Sequence, residues 1–219
     1  YYIIYSDDNG ISWSSPAFLP TRPNVPLRRR VYLSALAKLS NGDVGFTYGV
    51  SSSNNLNDAK GIFIIKSSDG INWSAADTIA TIGKNGQLMN FENSKEIVVY
   101  QDSTSTNYDL FYRVSSDTGL TWSNEILLVG DYLSQTNPRI AKDQNGKTWL
   151  YYLQQEATPF DGIFQSNIKY IYSLDDGNIW STPINFTKYV GPDENFNLSL
   201  WNGRPIITFA SKRHINLSN

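Results

Sequence analysis

The 219-residue sequence contains no cysteine and a single histidine. A disulfide framework, a thiolate metal site and a cysteine nucleophile are therefore excluded. So is a multi-histidine zinc or iron centre. Charge is also scarce: 17% of residues are Asp, Glu, Lys or Arg, and the formal net charge is −2. That balance argues against a nucleic-acid groove and against a polybasic membrane anchor. No apolar run approaches the roughly 18 residues a membrane-spanning helix needs. No helical period outlasts one turn, and no glycine loop of the P-loop or dinucleotide-binding type is present. The expectation is a protein without cofactor or metal, without a nucleic-acid partner and without membrane insertion. The chain opens at Tyr1 on an apolar run with no basic leader, which reads as a processed chain or a piece of a longer one.

What the sequence has is aromatic surface: six Trp, fourteen Tyr and ten Phe, enough to fill a core and to exclude disorder. It also repeats. Ser6-Asp7-Asp8-Asn9-Gly10-Ile11-Ser12-Trp13 matches Ser115-Ser116-Asp117-Thr118-Gly119-Leu120-Thr121-Trp122 and Ser173-Leu174-Asp175-Asp176-Gly177-Asn178-Ile179-Trp180. All three read S-x-D-x-G-x-x-W. Ser67-Ser68-Asp69-Gly70-Ile71-Asn72-Trp73 is the same motif with one residue missing before Gly70. The tryptophans fall 60, 49 and 58 residues apart, a spacing that suits propeller blades of four strands.

Between these motifs the pattern alternates. Val31, Leu33, Ala35, Ala37 and Leu39 share one face, Asn41-Gly42 supplies a hairpin turn, and Val44, Phe46, Tyr48 and Val50 alternate again. Each repeat reads as four antiparallel strands, A to D, with the motif in the C–D turn. Full blades are expected over 31–82, 87–129 and 139–187, a C–D half blade over 1–20 and an A–B half blade over 195–210. Four blade equivalents could close if the terminal halves shared a blade, or could be an arc of a larger ring. The expected fold class is all-β, in one domain.

The motif explains itself physically. Its Asp holds the turn by accepting backbone N–H bonds. Its Ser adds a hydroxyl, its Gly takes a positive φ, and its Trp is expected to be mostly buried, its indole N–H seeking a carbonyl. A structural role is favoured over a calcium-ligand or acid role, because a working site would not be needed once per repeat. On these residues the chain resembles the Asp-box, or bacterial neuraminidase repeat, proteins of the sialidase-like β-propeller superfamily. The resemblance covers nearly the whole chain and implies a secreted or cell-surface protein with a glycan or glycoconjugate ligand. It also implies that Ser6, Asp8, Gly10, Trp13, Ser67, Asp69, Gly70, Trp73, Ser115, Asp117, Gly119, Trp122, Ser173, Asp175, Gly177 and Trp180 are structural, on the face away from any active site.

The opposite face carries the D–A connections 21–30, 83–86, 130–138 and 189–194 and the B–C loops 51–60, 102–107 and 154–166, where functional residues concentrate. The resemblance implies an arginine clamp for a sugar carboxylate, a Tyr nucleophile with a Glu partner, and an Asp acid/base. Arg139, in Arg139-Ile140-Ala141, and Arg30, in Arg30-Val31, fit strand-opening arginines; Arg113 and Arg204 do not match. Asp102, Glu156 and Asp161 are the loop carboxylates that could line the same mouth, and Asp193-Glu194 reads as a solvated pair. No Tyr–Glu couple can be assigned, so catalytic residues stay unknown. The reading is a sialidase-like propeller that recognises carbohydrate without complete catalytic machinery. The alternatives are a sialidase hydrolysing terminal sialic acids and a protein-interaction propeller. Four Asn-x-Ser/Thr sequons, at Asn72, Asn185, Asn197 and Asn216, are about what the composition yields and do not establish glycosylation.

Overall fold

A computed structural model describes residues 2–20, 30–51, 59–91, 94–104, 107–157, 164–188 and 191–212. All regular structure among them is β. A two-stranded sheet holds β1 (Tyr2–Ile3) and β2 (Ala17–Phe18). Three four-stranded sheets follow. The first holds β3 (Arg30–Lys38), β4 (Val44–Ser51), β5 (Ala59–Ser67) and β6 (Asp77–Ala80). The second holds β7 (Lys84–Asn90), β8 (Glu96–Thr104), β9 (Asn107–Ser115) and β10 (Ile126–Val129). The third holds β11 (Gln135–Lys142), β12 (Thr148–Ala157), β13 (Phe164–Ser173) and β14 (Ile184–Asn185). β15 (Asp193–Trp201) and β16 (Arg204–Ser211) form a last pair. Strands neighbour one another in chain order, and every register that is described is antiparallel. A pairing of β1–β2 with β15–β16 is not among the described registers.

The chain divides into two compact units, Tyr1–Val98 with Arg113–Asn124, and Val99–Tyr112 with Glu125–Asn219. In the first, β4 is buried on both faces, as a central strand covered on both sides must be. Phe46, Tyr48 and Val50 pack with Leu19 and Ile65, and Ile3, Phe63 and Trp73 lie against them. On the other face Gly45 lets Leu39 and Leu88 come so close that a Cβ there would meet their methyls at 2.9 and 2.8 Å. In the second unit Tyr151, Leu153 and Ile168 pack against Phe196, with Leu198, Ile207 and Phe209 of the β15–β16 pair around them.

The repeated turns share one construction. Each Ser hydroxyl accepts the glycine N–H (Ser6–Gly10 2.7 Å, Ser67–Gly70 2.8 Å, Ser115–Gly119 2.8 Å, Ser173–Gly177 2.9 Å) and donates to the Asp carboxylate. The carboxylate accepts N–H groups further along: Ser12 at 2.9 Å, Asn72 at 2.7 Å, Thr121 at 2.8 Å and Ile179 at 2.9 Å. The hydroxyl of Ser12 holds the Asp8 pKa down at about 2, and that of Thr121 does the same for Asp117. Asp69 and Asp175 are lowered as well, foremost by the backbone N–H of Asn72 and of Ile179. Three turns place a non-glycine residue at positive φ before the glycine: Asn9 (59°), Thr118 (60°) and Asp176 (56°). The shortened second turn lacks that residue and keeps only Gly70, at 73°.

A serine directly after each tryptophan adds a clamp that the eight-residue motif does not contain. Ser14, Ser74, Ser123 and Ser181 each donate their N–H to, and accept an N–H from, one residue of the strand before the turn: Tyr5, Lys66, Val114 and Tyr172. The tryptophans differ from expectation. Trp73, Trp122 and Trp180 are half-buried, and the indoles of Trp73 and Trp180 donate to Gly70 O and Gly177 O. Trp13 is 61% exposed. Trp73 is covered by residues of the sheet preceding its own, Ile3 and Leu19 among them. No sheet of this chain precedes that of Trp13, so its indole lies against open solvent.

Candidate functional site

In the second unit Gln101, Asp102, Asp109, Gln135, Gln154, Asn167 and Asp193 are all buried. They lie towards the ends of β8, β9, β11, β12, β13 and β15 away from the repeated turns. These stretches are too polar to read as strands, yet the ladders run through them, because backbone pairing does not depend on apolar side chains. β11 starts at Gln135 rather than Arg139, β15 starts at Asp193, and β12 continues to Ala157.

Asp131, in the connection entering β11, organises one face of the β11–β14 sheet. Its Oδ1 accepts the Leu133 N–H at 2.7 Å and the Gln135 amide at 2.8 Å, and the Gln154 amide approaches at 3.3 Å. The Gln135 Nε2 also donates to Leu133 O at 2.6 Å, which fixes the orientation of that amide and leaves its buried Oε1 without a hydrogen-bond partner. Tyr152, on the same face, has a fully buried hydroxyl with no partner. Burial pushes its phenol pKa up, and the Asp131 charge adds to the shift.

Arg139 occupies the other face. Thr136 pairs with Leu153 and Arg139 with Tyr151, so two residues of β11, Asn137 and Pro138, stand opposite Tyr152 alone. Without that bulge, residues three apart would point to opposite faces. With it, Thr136 and Arg139 share one. The guanidinium lies 5.9 Å from the Phe196 ring centroid and donates to Pro138 O at 2.8 Å. It is half-buried, and desolvation lowers its pKa. Among the described residues no carboxylate pairs with it, although a buried guanidinium left without a counter-charge is costly.

The remaining candidates separate from this position. Arg30 pairs with Ser51 at the very start of β3, and its side chain lies outside the described residues. It is not the counterpart of Arg139. Aligned on the A–B turns, where Leu39 N binds Asp43 O and Asp143 N binds Lys147 O, Arg139 corresponds to Ala35. Glu156 lies in β12, not in a loop, and projects from the face opposite Arg139. It is held by Lys169 at 3.2 Å and by the Asn167 amide at 2.8 Å. Asp102 lies inside β8, buried, with Ser103 N on its Oδ1 at 2.6 Å. Asp161 falls outside the described residues. Asp193 is fully buried at the start of β15 rather than solvated. The sequence reading missed Gln101, Asp131, Gln135, Asn137 and Gln154. A signal was present in Asn85-Gly86-Gln87, Asn137-Pro138-Arg139 and Asn195-Phe196-Asn197: an asparagine two residues ahead of a polar side chain, three times.

No protein-family model and no curated protein matches the sequence. Solved structures match in fold. A protein of unknown function from Dyadobacter fermentans superposes with a TM-score of 0.68 at 12% identity, over 95% of this chain and 63% of that one. The GH93 α-L-arabinofuranosidase of Fusarium graminearum, solved with arabinobiose, gives 0.63 at 17% identity, over 94% of this chain and 66% of that one. A Hadza microbial sialidase gives 0.56 at 17% identity, over 68% and 36%. The fold is that of the sialidase-like and glycoside-hydrolase β-propellers. The chain spans just under two thirds of the length of the first of these structures.

Proposed function

We propose that this chain is a carbohydrate-recognising propeller whose ligand sits at the strand ends opposite the repeated turns, with Arg139 as its principal charged contact. The observation that carries the reading is the half-buried Arg139 guanidinium, stacked on Phe196 and without a carboxylate partner among the described residues. A ligand carboxylate or a row of sugar hydroxyls would satisfy its open donors. The neighbours lend support through what they hold: arabinobiose in the F. graminearum enzyme, and a rhamnogalacturonan-II chain in a further structure. In this reading the four turns are Asp boxes, each four-stranded sheet is a blade, and the protein is secreted or displayed at a cell surface.

Binding without hydrolysis is favoured because Glu156 is taken up by Lys169 and Asn167, and because Arg30 and Arg139 are not equivalent positions. The second reading, an exo-glycosidase, draws on the enzymes among the neighbours, a sialidase and arabinofuranosidases. A glycan array, run beside hydrolysis assays on fluorogenic sialosides and arabinofuranosides, separates the two. Retention on the array without turnover supports recognition. Turnover that Arg139→Ala abolishes favours the enzyme. Neither retention nor turnover would refute both.

A further inference from the structure

Three innermost strands carry the same unusual backbone feature. Asn85 in β7, Asn137 in β11 and Asn195 in β15 have φ of 53°, 52° and 49°. An asparagine tolerates this left-handed conformation; a β-branched residue does not. The registers show the consequence. In β11 the pairing skips from Thr136 to Arg139, and in β15 from Glu194 to Asn197, each time with one extra residue on the inner strand. Asn85 and Asn137 also keep one distance from their turns, six residues before Phe91 and Asp143, whose N–H groups close equivalent turns onto Lys95 O and Lys147 O. In the second unit this backbone is tied down from outside its own sheet. The N–H of Asn137 donates to the side-chain oxygen of Gln101, on β8, at 2.9 Å.

We propose that Asn137 and Gln101 are positioning residues for Arg139: the left-handed bulge at Asn137, held by the Gln101 amide oxygen, selects the face of β11 from which the guanidinium projects. A regular β11 would send Arg139 to the face of Gln154 and Tyr152, towards the Asp131 network. The bulge turns it to the face of Tyr151 and Phe196, where its donors are open. The same device two residues ahead of Asn197 makes this a repeated means of aiming an inner-strand polar side chain. The functional consequence rests on the reading of Arg139 as the ligand contact; the geometric claim does not.

The test uses the whole chain, with Asn137→Gly, Asn137→Val and Gln101→Leu. Arg139 Nε–H, assigned by its loss in Arg139→Lys, should appear in a 15N-edited spectrum shifted upfield by the Phe196 ring. Asn137→Gly, which keeps the left-handed backbone, should retain that shift; Asn137→Val and Gln101→Leu should lose it. Unchanged Arg139 signals in folded Asn137→Val and Gln101→Leu overturn the proposal. If Asn137→Val does not fold, Gln101→Leu decides. Titration with sialyllactose and with galacturonate oligomers then reads function. Gln101→Leu should weaken binding about tenfold, Asn137→Gly should preserve it, and Gln101→Leu should add nothing in an Arg139→Ala background. An equal loss in that background marks a merely structural role and overturns the proposal. Binding indifferent to Arg139→Ala refutes the ligand reading, and the spectrum still decides the positioning claim.

Discussion

Replacing Ser115 by alanine removes one oxygen that serves three groups. The hydroxyl accepts the Gly119 N–H at 2.8 Å and the Asp117 N–H at 3.3 Å, and it donates to Asp117 Oδ1 at 2.8 Å. Ser115 is buried and so is its bond to Gly119, so water does not replace the lost acceptor. A buried donor left unpaired costs about 1–3 kcal/mol. In a chain of this size each kcal/mol lowers Tm by roughly 2–4 °C, which gives a shift of about 2–10 °C. Ser6→Ala is the internal control. The hydroxyl makes the same bonds, but the Gly10 N–H faces solvent and water can take over. Its cost should stay within about 0.5 kcal/mol. Thermal melts compare the two, and amide exchange at Gly119 reports the turn directly. An unchanged Ser115→Ala, or a Ser6→Ala of equal cost, would refute the argument that burial sets the value of this bond.

The Asp8 and Asp117 carboxyls, held down at about 2 by the hydroxyls of Ser12 and Thr121, should contribute stability above the ordinary carboxylate pKa of 3.8 and lose it as pH falls towards 2. Urea midpoints measured from pH 6 to pH 2 check this, and a midpoint flat across that window would contradict it. Gly45→Ala should destabilise by about 1–3 kcal/mol, because the added methyl meets Leu88 at 2.8 Å and Leu39 at 2.9 Å in a region buried on both faces. A variant as stable as the parent in urea would mean that the leucines move aside freely.

The repeated turns were legible because their chemistry is local. Ser, Asp and Gly within five residues close one another's hydrogen bonds, so spacing alone identifies them. The serine after each tryptophan was equally visible, but its role as a clamp appears only when Val114 or Tyr172 is seen across the turn. The candidate site was harder to read. Gln135-Thr136-Asn137-Pro138 has the composition of a loop, and nothing within it reveals that β12 continues the ladder past it. Arg30 and Arg139 look alike as strand openers, yet counting back from the A–B turns makes Ala35 the partner of Arg139. The face that Arg139 takes depends on a single extra residue, a long-range fact about pairing that no side-chain pattern carries. The exposure of Trp13 is long-range too, since it depends on a sheet that does not precede it in this chain.

The most direct test of the account is an amide chemical-shift titration of the 15N-labelled chain with sialyllactose, arabinobiose and galacturonate oligomers. At least one of these sugars should move the resonances of Gln101, Asn137, Arg139 and Gln154 in a saturable way. Gly10, Gly70, Gly119 and Gly177, in the repeated turns, should stay still, and Arg139→Ala should abolish the response. Shifts confined to the repeated turns, or no saturable shift with any of the three sugars, would contradict the claim that this chain recognises carbohydrate at the strand ends around Arg139.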